Sequence, residues 1–400
     1  MKKIMVFTST RADYGLLKPL LKRIKESPHL NLLLVVAGDH LLKEKGYTVS
    51  EITDDGFTIT EKITHILMED TREALSKSVG IAILELSSIF EREKPDMLIL
   101  LGDRYELLAP ATCAVIQRVP IVHICGGEST EGAIDEQIRH ALTKMAHLHF
   151  PSTMEYGWAI RQMGEEAWRI HVTGSLSVEN IRNSSYMTPL QLKLALGIDL
   201  NKPILLITYH PESLLSEKDP ASQIEILINA LKYFSDYQQV ITFPGVEAGY
   251  KDIIYAWKQY AQNHSNVFLF ESLGSKAYLG LMKICRAVVG NSSSGLIEAP
   301  SFCVPTLNIG ERQKGRIRAS SVIDVKLDVD EIIKGLNKIL FDKEFIEKLP
   351  FTVNPYDPFK DGNASKRIVK ILEETVLDKK LLEKRLDFPE PKEREAFNVQ

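Results

Sequence analysis

Short apolar runs, each ending in a polar or glycine-bearing turn and each followed by a helical pattern, recur along almost the whole chain. This alternation limits the possible folds more than any other feature. In the first half the runs are Ile4 to Thr8, Leu32 to Ala37, Phe57 to Ile63, Met97 to Leu101, Ile121 to Ile124, Leu148 to Pro151 and Ile170 to Thr173. Helical patterns over Leu16 to Glu26, Thr71 to Glu93 and Asp135 to Ala146 lie between them. A βαβ rhythm of this kind predicts a largely parallel sheet with helices on both faces. The rhythm pauses at Asn183-Ser184-Ser185-Tyr186-Met187-Thr188-Pro189, a polar stretch closing on a Thr-Pro helix start. It resumes with Ile204 to Thr208, Gln239 to Phe243, Val267 to Phe270, Ala287 to Val289 and Thr306 to Ile309.

A second break, Asn354 to Gly362, leads into a helix over Ala364 to Leu377. The expected architecture is therefore α/β, with two Rossmann-like domains facing a central cleft, over residues 1–185 and 186–360. The segment 361–400 carries a helix that returns to the first domain, an arrangement called GT-B. The charged composition beyond Asp378 predicts disorder toward the last residues. Four hundred residues exceed what one core usually holds, which agrees with two domains.

Composition narrows the functional classes. A hydrophobic share of 44% with 26% charged residues describes an ordinary globular chain. The net charge of -4 argues against a nucleic-acid or acidic-membrane partner. No apolar run reaches the roughly 18 residues that a membrane span requires. The apolar run behind Lys2-Lys3 stops at Thr8 and reads as a first strand rather than a signal peptide, so a cytoplasmic location is expected. Cys113, Cys125, Cys285 and Cys303 have no zinc-type spacing and are expected as reduced thiols. His147 and His149 can share one face of a strand, but no third ligand has metal spacing, so a packed role is expected and no metal.

Polar residues gather at the ends of the predicted strands, where an open α/β sheet places its ligand crevice. Asp103 and Arg104 follow Met97 to Leu101; Cys125, Gly126, Gly127 and Glu128 follow Ile121 to Ile124; Asp135 opens the next helix. Carboxylates grouped there suit proton transfer, because their surroundings can tune them. Asp103 and Asp135 read equally as helix N-caps when each is taken alone. In the second half, Gly290-Asn291-Ser292-Ser293-Ser294-Gly295 follows a strand and opens a helix through Leu296, Ile297 and Glu298. Such a turn offers N–H groups and hydroxyls to a phosphate, with Glu298 placed for ribose hydroxyls. The same residues also make an ordinary helix cap. Arg11, Arg104 and Arg312 end strands, and a planar guanidinium suits a diphosphate. His210, before Pro211, can contact a phosphate, move a proton or simply cap structure.

With these residues in view, the chain resembles the UDP-N-acetylglucosamine 2-epimerase family, and most of all its hydrolysing branch in sialic and legionaminic acid biosynthesis. The resemblance rests on Thr10-Arg11-Ala12-Asp13-Tyr14-Gly15, Gly102-Asp103-Arg104-Tyr105-Glu106, His123-Ile124-Cys125-Gly126-Gly127-Glu128, Arg139 to Met145, His210-Pro211, Gly290 to Gly295 and Asn354-Pro355-Tyr356, in family order over nearly the whole chain. It implies UDP held mainly by the second domain, with Arg11, His210, Ser292, Ser293, Glu298 and Arg312 at nucleotide- or phosphate-contacting positions. Arg104 and Gly295 join that set on their placement. Asp103 and Asp135 match catalytic carboxylates. Some members carry glutamate where this chain has Cys125, and Glu128 or Asp135 is the available substitute; Gly245 stands where some relatives place asparagine. His210 completes the expected catalytic set.

The implied chemistry is loss of the C2 proton with departure of UDP, giving a 2-acetamidoglycal, then addition of water at C1 and return of a proton to C2 from the other face. It requires no cofactor and no metal. Three rivals remain at this stage: a non-hydrolysing epimerase, a GT-B glycosyltransferase and a nucleotide-sugar sensor without turnover. The motifs leave open UDP or GDP, the identity of the sugar, and a homodimer or homotetramer.

Overall fold

The computed structural model describes residues 1–67, 71–131, 134–183, 185–212, 218–245 and 249–390. Positions 246–248 of the loop after Phe243 and the end of the charged tail lie outside them. The chain divides into two compact units. One comprises Met1–Glu128, Ile134–Asn180 and Tyr356–Gln400; the other comprises Ser129–Ala133 and Ile181–Pro355. The passages between units thus fall about five residues ahead of the expected ends at 185 and 360.

The first unit holds six parallel strands: β1 (Lys2–Thr8), β2 (Leu30–Ala37), β3 (Glu61–Ile63), β4 (Met97–Leu101), β5 (Ile121–Ile124) and β6 (Leu148–Phe150). Their order is β3-β2-β1-β4-β5-β6. The second unit holds β7 (Ile204–Thr208), β8 (Gln238–Thr242), β9 (Val267–Phe270), β10 (Ala287–Gly290), β11 (Thr306–Ile309) and β12 (Val322–Val325), in the order β12-β11-β10-β7-β8-β9. Counted within its own unit, each sheet follows the doubly wound 3-2-1-4-5-6 order of a Rossmann-like domain, with its switch point between β1 and β4 or between β7 and β10. β1 and β4 are buried almost end to end, as strands covered by helices on both faces must be.

Two strand expectations need correction, and one strand was not expected. Phe57 to Ile63 pairs only from Glu61, because Phe57 still bonds back to Ile52 as the helix Val49–Asp54 closes. Ile170 to Thr173 runs beside β6 without becoming a strand: His171 and Thr173 donate to the carbonyls of His149 and Pro151. Pro151 has no N–H with which to continue that ladder. β12 went unforeseen because its four residues are only partly buried, as an edge strand allows, and form no apolar run.

The returning helix Ala364–Glu374 buries Ala364, Ile368 and Leu372 in the same core as Leu17, Leu20 and Ile24 of the helix Arg11–Glu26. Both of its ends are neutralised locally. Buried Glu179 accepts from Ser365 N–H and Oγ at 2.6 Å each, while Lys2 Nζ donates to the carbonyls of Leu372, Glu373 and Thr375. An anion at the N-terminus and a cation at the C-terminus both complement the helix dipole. Further on, the fully buried Arg169 guanidinium donates to the carbonyls of Leu381 and Glu383, which ties the chain down well beyond Asp378. No helix among the described residues is long and apolar enough to cross a membrane.

Candidate active site

β4 delivers Asp103 through Gly102, whose φ of +84° turns the chain out of the sheet. Asp103 is no N-cap, since Arg104 occupies that position of the one-turn helix Tyr105–Leu107. Asp135 lies inside the first turn of the helix Ile134–Met145 rather than at its cap. What binds Asp103 is Arg139 of that same helix, a guanidinium only 1% exposed. Arg139 also meets Glu136 at 3.3 Å and donates to the Glu128 carbonyl at 2.9 Å. A single buried cation thus gathers Asp103, Glu136 and the peptide of Glu128. The Glu128 carboxylate is buried and accepts from Ser152 Oγ at 2.9 Å.

The loop between β5 and Glu128 is shaped by close approaches. Cys125 has a φ of +63°, unusual for a residue with a side chain, and donates its N–H to Phe150. A Cβ on Gly127 would stand 2.4 Å from the Tyr156 carbonyl, so only glycine fits there. His123, within β5, is fully buried and meets the Gly102 carbonyl at 2.7 Å. Burial pushes its imidazole down to about 4, so it is neutral at pH 7.

Two predicted phosphate arginines of this unit are already engaged. Arg104 forks onto buried Glu106 at 2.6 and 3.2 Å. Arg11, half exposed, reaches Glu51 at 3.1 Å from the first turn of its helix. Asp13 of the same motif serves the fold, accepting from the N–H groups of Ser9 and Thr10 in a capping box. His147 accepts from Ile121 N–H, and His149 meets Glu165 at 3.0 Å in the core.

In the second unit, β7 and β10 bring His210 and Asn291 together at the switch point. The buried Asn291 amide accepts from His210 N–H at 2.7 Å and donates to the His210 carbonyl at 2.9 Å, pinning both faces of that peptide segment. The Asn291 carbonyl accepts from Gln313 at 2.9 Å and lies 3.4 Å from Arg312 Nη1. Glu212 Oε1 receives the N–H groups of Glu311 and Arg312 at 3.0 and 3.2 Å. Burial pushes the Glu212 carboxyl up, and those donors oppose it. His210, Arg312 and the turn at Asn291 are therefore held as one assembly.

The serine turn differs from its expected form. The helix spans only Ser294–Ile297, with Glu298 just past its end, because Pro300 has no N–H to extend it. Ser293 stands at the N-cap without a capping bond, whereas Ser292 Oγ lies 3.2 Å from Ser294 Oγ, itself 2.6 Å from the Tyr278 hydroxyl. Gly295 answers to packing: a Cβ would meet Thr306 at 2.6 Å. Sequence reasoning assigned no role to Arg139, His123, Glu212 or Gln313. Signals were available: His123 and Arg139 each open a motif of the resemblance, and Glu212 is a carboxylate directly after the strand-end His-Pro pair.

All four cysteines are free thiols, and no cluster of three or more potential metal ligands occurs among the described residues.

Comparisons with known proteins establish the family. Residues 22–373 match the family model of UDP-N-acetylglucosamine 2-epimerase. A GDP/UDP-N,N'-diacetylbacillosamine 2-epimerase (hydrolyzing) of Campylobacter jejuni is 40% identical over 86% of this chain and 88% of its own. A UDP-N,N'-diacetylbacillosamine 2-epimerase (hydrolyzing) of Legionella pneumophila is 33% identical over 96% of this chain and 98% of its own. The crystal structure of UDP-GlcNAc 2-epimerase from Neisseria meningitidis bound to UDP-GlcNAc shares the fold, with a TM-score of 0.79 at 21% identity over 94% of this chain and 100% of that one. With the family model spanning most of the chain and these relatives covering nearly all of it, the protein belongs to the UDP-N-acetylglucosamine 2-epimerase family and is an enzyme of its hydrolysing branch.

Proposed function

We propose that the enzyme takes a UDP-linked 2-acetamido sugar, either N-acetylglucosamine or 2,4-diacetamido-2,4,6-trideoxyglucose, and releases UDP with the free manno-configured sugar. The names of the Campylobacter and Legionella relatives favour the diacetamido sugar, and the first leaves GDP as an alternative carrier. The observation that carries the reading is the gathering of candidate residues at the switch point of each sheet. Asp103 follows β4 on one unit, while His210 and Asn291 follow β7 and β10 on the other.

In this reading a carboxylate, Asp103 with Glu128 or Asp135 as its partner, removes the C2 proton while the C1–O bond breaks and its electron pair leaves on the diphosphate. Water adds to C1 of the glycal as a proton returns to C2 from the other face. The sequence is redox-neutral and needs no cofactor. Departure of the diphosphate makes removal of a weakly acidic C–H proton feasible, so cationic and N–H donors on the phosphates share the work with the carboxylates. Arg312, Ser292, Ser293 and His210 are proposed for the phosphates and Glu298 for the ribose. Gly295 lets the serine turn pack closely. Arg11 and Arg104 are proposed for the phosphates as well, through guanidinium N–H groups other than those that meet Glu51 and Glu106. A cytoplasmic homodimer or homotetramer is the proposed context.

The test is a panel of UDP- and GDP-sugars in D₂O, with the released nucleotide and sugar identified by mass and NMR. One deuterium at C2 of a free manno-type sugar is expected, and Asp103→Asn is expected to lower kcat by at least about 100-fold, the scale of acid–base catalysis. A product without C2 deuterium refutes the glycal route.

A further inference from the structure

We infer that His123 is a positioning residue for Asp103: its ring fixes the peptide from which Asp103 projects and, on its other side, faces the helix that supplies Arg139. The inference rests on the proposed role of Asp103 in proton transfer.

The direction of one bond is settled by chemistry. A carbonyl can only accept, so the 2.7 Å contact between His123 Nε2 and the Gly102 carbonyl requires the proton on Nε2. That carbonyl belongs to the planar peptide joining Gly102 to Asp103, so holding its oxygen sets the plane from which the Asp103 Cα departs. Gly102 would otherwise be the loosest point in the connection, because it lacks a Cβ and sits at a φ of +84°. β5 grips it twice: the Ile124 carbonyl accepts its N–H at 3.0 Å and His123 donates to its C=O.

With Nε2 protonated and the ring neutral, Nδ1 is an acceptor. The Thr143 hydroxyl stands 3.2 Å from it, on the helix Ile134–Met145 and one turn beyond Arg139. The same hydroxyl lies 2.9 Å from the Arg139 carbonyl and, having a single proton, donates either to that carbonyl or to Nδ1. One imidazole therefore holds the peptide in front of Asp103 by a hydrogen bond and, on its other side, sits against the helical turn behind the counter-ion of Asp103. The neighbouring loop leaves room for this ring only because residue 126 is glycine, whose Cβ would otherwise approach Nδ1 to 2.9 Å. A histidine present merely to fill space would need neither polar contact, and an apolar side chain of similar volume would replace it.

The experiment uses the full-length enzyme and the nucleotide sugar that the parent turns over, with kcat and KM followed by released nucleotide and UDP affinity by calorimetry. His123→Leu removes the donor, whereas His123→Gln places an amide N–H near the former Nε2. His123→Leu is expected to lower kcat by about 30-fold with KM and UDP affinity within about twofold, since displacing a reacting group by a fraction of an ångström to an ångström costs up to about 100-fold. His123→Gln is expected to recover kcat to within about fivefold of the parent by restoring the hydrogen bond. A folded His123→Leu enzyme with parental kcat, or a His123→Gln enzyme as impaired as His123→Leu, overturns the inference. If His123→Leu does not fold, Thr143→Val serves: it leaves the ring but removes its second partner, and an unchanged kcat there overturns the inference. Asp103→Asn separates the two levels. Full turnover in Asp103→Asn refutes the role of Asp103 itself; lost turnover in Asp103→Asn beside parental kcat in His123→Leu refutes only the role of His123.

Discussion

Arg139→Met tests whether one buried guanidinium holds the carboxylate assembly together. The substitution keeps most of the side-chain volume but leaves Asp103 and Glu136 without their cation and the Glu128 carbonyl without that donor. Breaking a fully buried ion pair costs about 3–5 kcal/mol. The carboxylates here are 23% and 24% exposed, so water reaches them and the lower end applies. Loss of the carbonyl hydrogen bond adds about 1 kcal/mol, for a total of about 3–4 kcal/mol. In a unit of this size each kcal/mol lowers Tm by about 2–4 °C, so scanning calorimetry should show a drop of about 6–16 °C in the transition of the first unit. Adding Asp103→Asn to Arg139→Met should recover about 1–2 kcal/mol, because the orphaned charge disappears and directly contacting residues couple. Strict additivity of the two substitutions, or a drop below about 2 °C, would refute the reasoning.

Two further predictions concern stability. His123 is held near 4 by burial against an unfolded value of 6.5, so between those values the unfolded chain binds the extra proton and stability rises with pH. The contribution is complete above about pH 6.5 and lost as pH falls to about 4, worth up to about 3 kcal/mol at about 1.4 kcal/mol per unit; urea unfolding of His123→Gln should show a flatter acid-side slope than the parent, and equal slopes would contradict it. Gly290→Ala places a Cβ 2.0 Å from the Thr208 carbonyl at a φ of +128°, whereas Gly56→Ala at a φ of +82° meets open space. The first should cost at least about 3 kcal/mol and the second about 1 kcal/mol in urea unfolding, and equal costs would show that the β7–β10 approach is not what demands glycine.

Much of the candidate site was legible because strand ends are legible. Met97 to Leu101 is an unbroken apolar run, so the next polar side chain, Asp103, had to emerge at the carboxyl end of the strand. The runs before His210 and Asn291 work in the same way. Arg139 was invisible for the opposite reason. Nothing in Glu136-Gln137-Ile138-Arg139-His140 marks one cation as 1% exposed; that follows from its lying against Asp103 and the Glu128 turn in the folded chain. The serine turn is legible in the sequence, but the helix after it is shorter than its apolar pattern predicts, because Pro300 ends it within one turn. Arg104 stands two residues from its partner Glu106, but that Glu106 is buried, and that Arg11 meets Glu51, emerges only from the fold.

The order of apolar and polar residues by itself determined two parallel α/β sheets, the strands that run through their centres, and the family, because hydrophobic period and motif wording are local properties of a chain. Which carboxylate meets which cation, which arginine is already engaged, and that His123 grips the peptide before Asp103 were decided only in the folded molecule. Those facts depend on contacts such as Asp103 with Arg139 and Gly102 with His123, between residues far apart in the chain, and on burial, which turns an ordinary histidine neutral and an ordinary arginine into the centre of an ion cluster.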